Sequence, residues 1–152
     1  MLFNLLSGEE GNNMTEKYGV YNFENDPYNY VIKTFCNKWK PYIIRGISYD
    51  GTTRFSRFTK QLPISEKVLT TTLKQLEADG IIQRTVYPEV PVRVEYSLTD
   101  IGKSILPILD ILYDWGWKRM KNLGIEIDPL GEMWHGYREK DNSIMDNPFK
   151  KK

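Results

Sequence analysis

The apolar residues follow a helical period over most of the chain, switch once to alternation, and then return to a helical period, which predicts the order of elements. Asp26-Pro27 is a strong helix opening, with Asp as N-cap and Pro at the first helical position, and Tyr30, Val31, Thr34 and Phe35 follow at helical spacing. A second helix opens at Lys38-Trp39-Lys40-Pro41, with Pro41 in its first turn. It carries Trp39, Tyr42, Ile43, Ile44 and Ile47 and stops at Tyr49-Asp50-Gly51. A short third helix, Arg54 to Gln61, has Phe55, Phe58 and Leu62 at i, i+3 and i+7, with Arg54, Arg57 and Lys60 on the other side.

Pro63-Ile64-Ser65 then breaks the pattern. Ser65 reads as an N-cap, Glu66 suits the positive end of a helix dipole, and Ile64 is placed to staple onto Leu69. The fourth helix has Leu69, Leu73 and Leu76 as its buried stripe and ends at Asp79-Gly80. Past Gly80 the period becomes 2, which predicts strands over 81–87 and 93–98. In the second strand Val94, Tyr96 and Leu98 share one face, and Arg93, Glu95 and Ser97 the other. The two prolines of Pro88-Glu89-Val90-Pro91-Val92 make a stiff loop rather than a tight hairpin. Thr99 caps a last helix running from Asp100 to about Leu123, roughly 35 Å long at ~1.5 Å per residue, with a kink expected at Pro107. Its apolar residues, from Ile101 and Ile105 to Trp115 and Met120, cover more than one stripe, so part of that surface calls for a partner.

Helix, helix, short helix, tight turn, helix, ribbon, long helix is the order of a winged helix-turn-helix, an α+β fold that is mainly helical. Its long C-terminal helix, with apolar surface left for a partner, is the expected dimerisation helix. The layout matches groove geometry. A major groove ~12 Å wide admits one helix, the helix before it braces the contact, and the ribbon reaches the flanking backbone. The expected reading helix is 66–79, capped by Ser65, and its leucine stripe leaves Lys67, Thr70, Thr71 and Lys74 outward. Threonine offers a hydroxyl, and a methyl for thymine, while lysine donates to guanine or to phosphate. Arg54, Arg57, Lys60 and Arg93 suit backbone contacts. For Tyr87, Glu89 and Arg93 a structural role in holding the wing is the alternative, with DNA contact favoured for Arg93.

Composition and charge sharpen the function classes. With 152 residues, 40% hydrophobic and 27% charged, the chain has the make-up of one compact domain with tails. The expected division is a leader over 1–25, the winged domain over 26–123 and a tail over 124–152, with Met14 as an alternative start. No apolar run approaches ~18 residues and the opening residues are unlike a secretory signal, so a cytoplasmic protein without membrane contact is expected. One cysteine and one histidine exclude a disulfide framework and a His-rich metal site. No glycine-rich phosphate loop, nucleophile elbow or HExxH is present, so neither catalytic residues nor a cofactor are expected. The net charge of +1 hides an asymmetry: residues 1–26 carry −4, residues 27–98 carry +5, and residues 99–152 balance at zero. A basic middle points to a polyanionic partner, with a solvated basic face as the bland alternative.

At this point the chain resembles a known family. Lys38-Trp39, Arg54-Phe55-Ser56, Leu62-Pro63-Ile64-Ser65, Leu76-Glu77-Ala78-Asp79-Gly80, Arg84-Thr85-Val86-Tyr87-Pro88-Glu89-Val90-Pro91 and Arg93-Val94-Glu95-Tyr96-Ser97-Leu98-Thr99 look like the HxlR-type transcriptional regulators, in order from about Pro27 to Gly116. The resemblance implies a bacterial or archaeal winged-helix protein that binds double-stranded DNA as a homodimer paired through its terminal helices, at a pseudo-palindromic operator. It also implies repression or activation of nearby genes. Many such proteins answer to oxidants or electrophiles. The Cys-Pro pair common at the start of their first helix is Asp26-Pro27 here, and their glycine pair before Lys-Trp is Cys36-Asn37.

Cys36 is read as filling space at a helix junction; a thiol sensor is the alternative, since Lys33, Lys38 and Lys40 nearby in sequence would lower a thiol pKa. Trp39, Trp115 and Trp117 are read as packing or dimer interface rather than an effector pocket, although a small-molecule effector in a dimer cleft fits the architecture. Trp134, His135, Tyr137 and the closing lysines are read as a solvated or loosely docked tail, with His135 standing alone. A winged helix serving only as a protein-interaction module, without DNA binding, is the competing function.

Overall fold

The computed structural model of the protein describes residues 19–20, 22–129, 131–132 and 135. The leader up to residue 18, with Met14, and Trp134, Tyr137 and the closing lysines of the tail lie outside them. The described residues fall into two compact units, divided between Asn37 and Lys38.

In the first unit a 3-10 turn, Phe23–Asn25, leads into helix α1, Pro27–Phe35. The expected cap is present: the Asp26 carboxylate accepts from the Asn29 N–H at 3.0 Å, and Pro27 occupies the first turn, where its missing donor costs nothing. The Asn29 side chain donates to the Phe23 carbonyl at 2.8 Å and Lys33 meets Glu24 at 2.8 Å, which ties the turn to the helix. Cys36 is the C-cap of α1.

The second unit contains α2 (Lys40–Asp50), β1 (Thr52–Thr53), α3 (Phe55–Gln61), α4 (Glu66–Ala78), β2 (Ile82–Tyr87), β3 (Arg93–Leu98) and α5 (Asp100–Asn122). Its core takes Ile43, Ile44 and Ile47 from α2, Phe58 from α3, Leu69, Leu73 and Leu76 from α4, and Ile105 and Leu109 from α5, all buried. Ile81, Ile82 and Tyr96 close it on the sheet side. A half-buried ion pair between Arg45 of α2 and Asp110 of α5 fixes these two helices to each other. Ile64 and Leu69 are both buried at the start of α4, as a hydrophobic staple requires.

The structure corrects the sheet. Alternation predicts a two-stranded ribbon, whereas the sheet has three antiparallel strands in the order β1-β3-β2. Thr52 and Thr53 stand opposite Ser97 and Tyr96, and a strand of two residues is too short to show a period. The expected apolar face of β3 is also only partly covered: Tyr96 is buried, while Val94 and Leu98 are half-buried. α5 begins at the expected Thr99 cap, whose hydroxyl accepts from the Gly102 N–H at 3.0 Å. It runs on as one helix past Pro107 and buries Gly102, Ile105 and Leu109 along one stripe.

Beyond α5 the chain turns at Gly124 (φ 65°), and the segment after it is not solitary. The Tyr113 hydroxyl donates to the Gly131 carbonyl at 3.1 Å, Lys121 meets Glu132, and the His135 ring stacks on Trp117 at 3.8 Å and 10°. His135 is thereby held against α5. A flat aromatic ring presented by α5 gives the imidazole a stacking partner that no local sequence period reveals.

Candidate nucleic-acid interface

The interface is built around α4, and both ends of that helix are set locally. Ser65 Oγ accepts from the Val68 N–H at 3.3 Å, satisfying one of the orphan donors at the helix start. At the other end Gly80 adopts φ 70°, its N–H reaches the Glu77 carbonyl at 3.0 Å, and the Ile81 N–H reaches the Leu76 carbonyl at 2.9 Å. That paired closure needs a left-handed residue, which glycine supplies without strain.

Burial then decides which face of α4 is free. Leu69, Thr72, Leu73 and Leu76 are buried, the Thr72 hydroxyl being satisfied by the Val68 carbonyl at 2.8 Å. Each buried leucine contributes about 1.5–3 kcal/mol, so turning α4 about its axis is far more costly than any surface contact could repay. Lys67, Thr71 and Lys74, at i, i+4 and i+7, share the opposite face, and Thr70 flanks it; all four are exposed. Lys60, Lys67 and Lys74 form no ion pair with a described residue, so their charges are open to an incoming anion. Val68, also exposed at the start of α4, is an apolar group that the leucine stripe did not single out. Its signal in the sequence is a branched apolar residue one position off the stripe.

The arginines are differently placed. Arg54, Arg57 and Lys60 are exposed along α3 and its N-cap, with Phe58 buried behind them. Arg57 Nε meets Asp50 at 2.5 Å, and the same Asp50 oxygen accepts from the Thr53 hydroxyl at 3.2 Å. Arg93 lies in the wing between two carboxylates: Glu89 takes its Nε at 3.1 Å and Nη2 at 2.9 Å, and Glu95 takes Nη1 at 2.5 Å. The Tyr87 ring, directly across the ladder, supports the guanidinium at 3.6 Å. Hydrogen bonds from Arg93 hold the Glu89 carboxyl below the usual carboxylate range, and both carboxylates raise the Arg93 pKa. Asp50 was not legible as a partner, because it meets Arg57 only once the turn between α2 and α3 has formed, whereas Glu95 shares the strand face of Arg93 that alternation predicts.

The remaining sequence candidates scatter. Trp39 is half-buried beside Tyr42, with Lys38 over its ring at 4.7 Å. Trp115 is 70% exposed and so is no part of this chain's own core, whereas Trp117 is covered by His135 and Lys121. The Cys36 thiol is exposed, and desolvation raises its pKa rather than lowering it. Of the lysines nearby in sequence, Lys33 meets Glu24 and Lys40 meets Asp79. Among the described residues no helix is long and apolar enough to cross a membrane.

Comparison with known proteins shows the family and the fold. The family model described as HxlR-like helix-turn-helix matches residues 34–123. A helix-turn-helix-type transcriptional regulator of Halalkalibacterium halodurans is 42% identical over 104 residues, 68% of this chain and 92% of that protein. Among solved structures, a protein described as an HTH-type transcriptional regulator, ytcD, superposes with a TM-score of 0.61 at 37% identity, over 63% of this chain and 98% of its own. The redox regulator HypR in its reduced form does so with a TM-score of 0.61 at 36% identity, over 66% of this chain and all of its own. The chain belongs to the HxlR-like helix-turn-helix family and is a DNA-binding transcription regulator rather than an enzyme.

Proposed function

We propose that the protein acts in the cytoplasm as a homodimer on a pseudo-palindromic operator, each copy placing α4 in the major groove of one half-site. The observation that carries this reading is the exposed face of α4, where Lys67, Thr71 and Lys74 line up opposite a fully buried leucine stripe. In this reading Lys67, Thr70, Thr71 and Lys74 meet base edges, and Ser65 fixes the helix start that is presented to the groove. Lys60, Arg54 and Arg57 meet phosphates, Arg57 from a position held by Asp50. Arg93 supports the wing from within, its charge already taken by Glu89 and Glu95.

Pairing uses the part of α5 that the core leaves open. Ile101, Ile108, Leu112 and Trp115 are exposed and recur at steps of seven, four and three residues, the spacing of a helix–helix seam. Half-sites then fall about one turn of ~10 bp apart, or a multiple of it. A small-molecule effector acts in this scheme by favouring one spacing of the two reading helices over another.

The test is fluorescence anisotropy across a salt series, with the duplex upstream of the protein's own gene and with a scrambled duplex. A preference of at least ~10³ with a steep salt dependence is expected. Absence of binding to any duplex at low salt overturns the reading in favour of a protein-contact role.

A further inference from the structure

Three carboxylates meet the arginines of the interface, and one of them joins two elements. Glu95 Oε1 accepts from Arg93 Nη1 at 2.5 Å and lies 3.9 Å from Arg54 Nε. Arg93 belongs to the wing, whereas Arg54 is the N-cap of α3. The Glu95 side chain is 16% exposed and stands across the ladder from Thr85. A shallow cleft separates residues 54–56 from residues 89–94, the wing loop and the start of β3, and the Glu95 carboxylate reaches an arginine on each side of it. With Glu89 included, two guanidinium groups face two carboxylates, so this corner carries no net charge.

We propose that Glu95 is a positioning residue for DNA recognition: it locks the wing to the start of α3, so that the wing and α4 meet the duplex at one fixed spacing. The inference rests on the DNA-binding reading above. A wing with balanced charge releases few counterions, so it adds little general attraction to a phosphate backbone. What it adds is shape, because a loop already held in place loses little conformational freedom on binding. Only duplexes whose groove geometry suits that spacing gain the wing contact.

The test compares wild type with Glu95→Gln in two measurements. In hydrogen exchange of the DNA-free protein, the amides of the loop joining β2 and β3 exchange roughly threefold faster or more in the variant. In anisotropy, the scrambled duplex binds as well or better, since one negative charge is gone, while preference for the upstream duplex falls by about fivefold or more. Adding Arg54→Gln to E95Q produces little further rise in loop exchange, because both substitutions undo the one contact between the wing and the start of α3. Thermal melting checks that E95Q folds; if it does not, Arg93→Lys keeps the charge, removes the fork that grips both carboxylates, and is read by the same two measurements.

Unchanged loop exchange overturns the proposal, as do equal shifts on both duplexes, which would mark Glu95 as a bulk charge only. Should wild type itself fail to distinguish the duplexes, the operator reading falls on the anisotropy alone. The exchange result then still decides whether Glu95 holds the wing.

Discussion

Lys40 Nζ lies 3.6 Å from Asp79 Oδ2, joining the first residue of α2 to the C-cap of α4, the proposed reading helix. Lys40 is almost fully buried, whereas the Asp79 side chain is 40% exposed. An ammonium removed from water needs a partner, and this one holds the end of α4 against the core. Breaking a fully buried pair costs about 3–5 kcal/mol, but Asp79 stays hydrated when left alone. Lys40→Met, which keeps the buried stem, is therefore expected to lose only about 1–2 kcal/mol. Lys40→Ala is expected to lose about 2 kcal/mol more, for the methylenes it removes. Urea titrations of both variants check this, and equal midpoints for Met and Ala would contradict it.

Gly102 is needed for contact rather than for backbone freedom. A Cβ built there would stand 2.1 Å from the Ile81 carbonyl oxygen. Ile81 cannot retreat easily: its N–H is bound to the Leu76 carbonyl at 2.9 Å, and its carbonyl accepts from the Thr99 N–H at 3.1 Å. Gly102→Ala must push α5 away from the sheet and is expected to cost about 3 kcal/mol or more. A loss below about 1 kcal/mol in chemical denaturation would show that the junction can shift cheaply.

Two lysines on neighbouring helices separate reading from attraction. Lys67 lies on the outward face of α4, so Lys67→Ala is expected to cut the preference for operator over scrambled DNA by about 1–3 kcal/mol. Lys60→Ala, at a proposed phosphate contact, is expected to weaken both duplexes alike and to lower the log–log salt slope by about 0.9. Anisotropy with both duplexes distinguishes them. Equal losses on the two duplexes for Lys67→Ala would remove it from base reading.

The helices and their caps were legible because each rests on signals within one turn: Asp26-Pro27, Ser65 before the leucine stripe, Asp79-Gly80, and Thr99. The outward face of α4 followed from the same stripe. What escaped was long-range. β1 is two residues whose only evidence as a strand is its pairing with β3. The carboxylates Asp50 and Glu95 look like ordinary surface acids until folding brings Arg57 and Arg54 to them. For Arg93 the sequence favours DNA contact over a structural role in the wing, although both of its carboxylates are local in sequence; only its packing on Tyr87 needs the register of the hairpin. His135 needed the ring of Trp117, which only the turn after α5 brings into reach.

The Cys36 thiol predicts a direction with pH. Desolvation raises its pKa in the folded protein, so the native thiol holds its proton more tightly than the unfolded one. Any stability from this site is fully present below the unfolded thiol's pKa and is lost as pH rises through the folded value. At neutral pH the native protein carries less thiolate than an unstructured cysteine, and alkylation by iodoacetamide is expected to be slower than in the denatured chain. The rate should climb only at more alkaline pH. A native rate above the denatured one at pH 7 would restore Cys36 as an activated thiol.

The exposed seam of α5 gives the proposed homodimer its own test. Leu112 is half exposed on that seam and Leu109, one turn back, is buried in the core, so position 112 can be charged without touching the interior. Leu112→Glu keeps a good helix former while placing a carboxylate where an apolar partner is expected. Light scattering is expected to shift from dimer to monomer, with far-UV circular dichroism unchanged. Two half-sites bound by one dimer gain from effective concentration, so operator affinity should drop by about 100-fold or more, while binding to the scrambled duplex changes far less. If the variant remains a dimer with full operator affinity, the pairing surface lies elsewhere than the Ile101–Trp115 stripe, and the half-site spacing inferred from it goes as well.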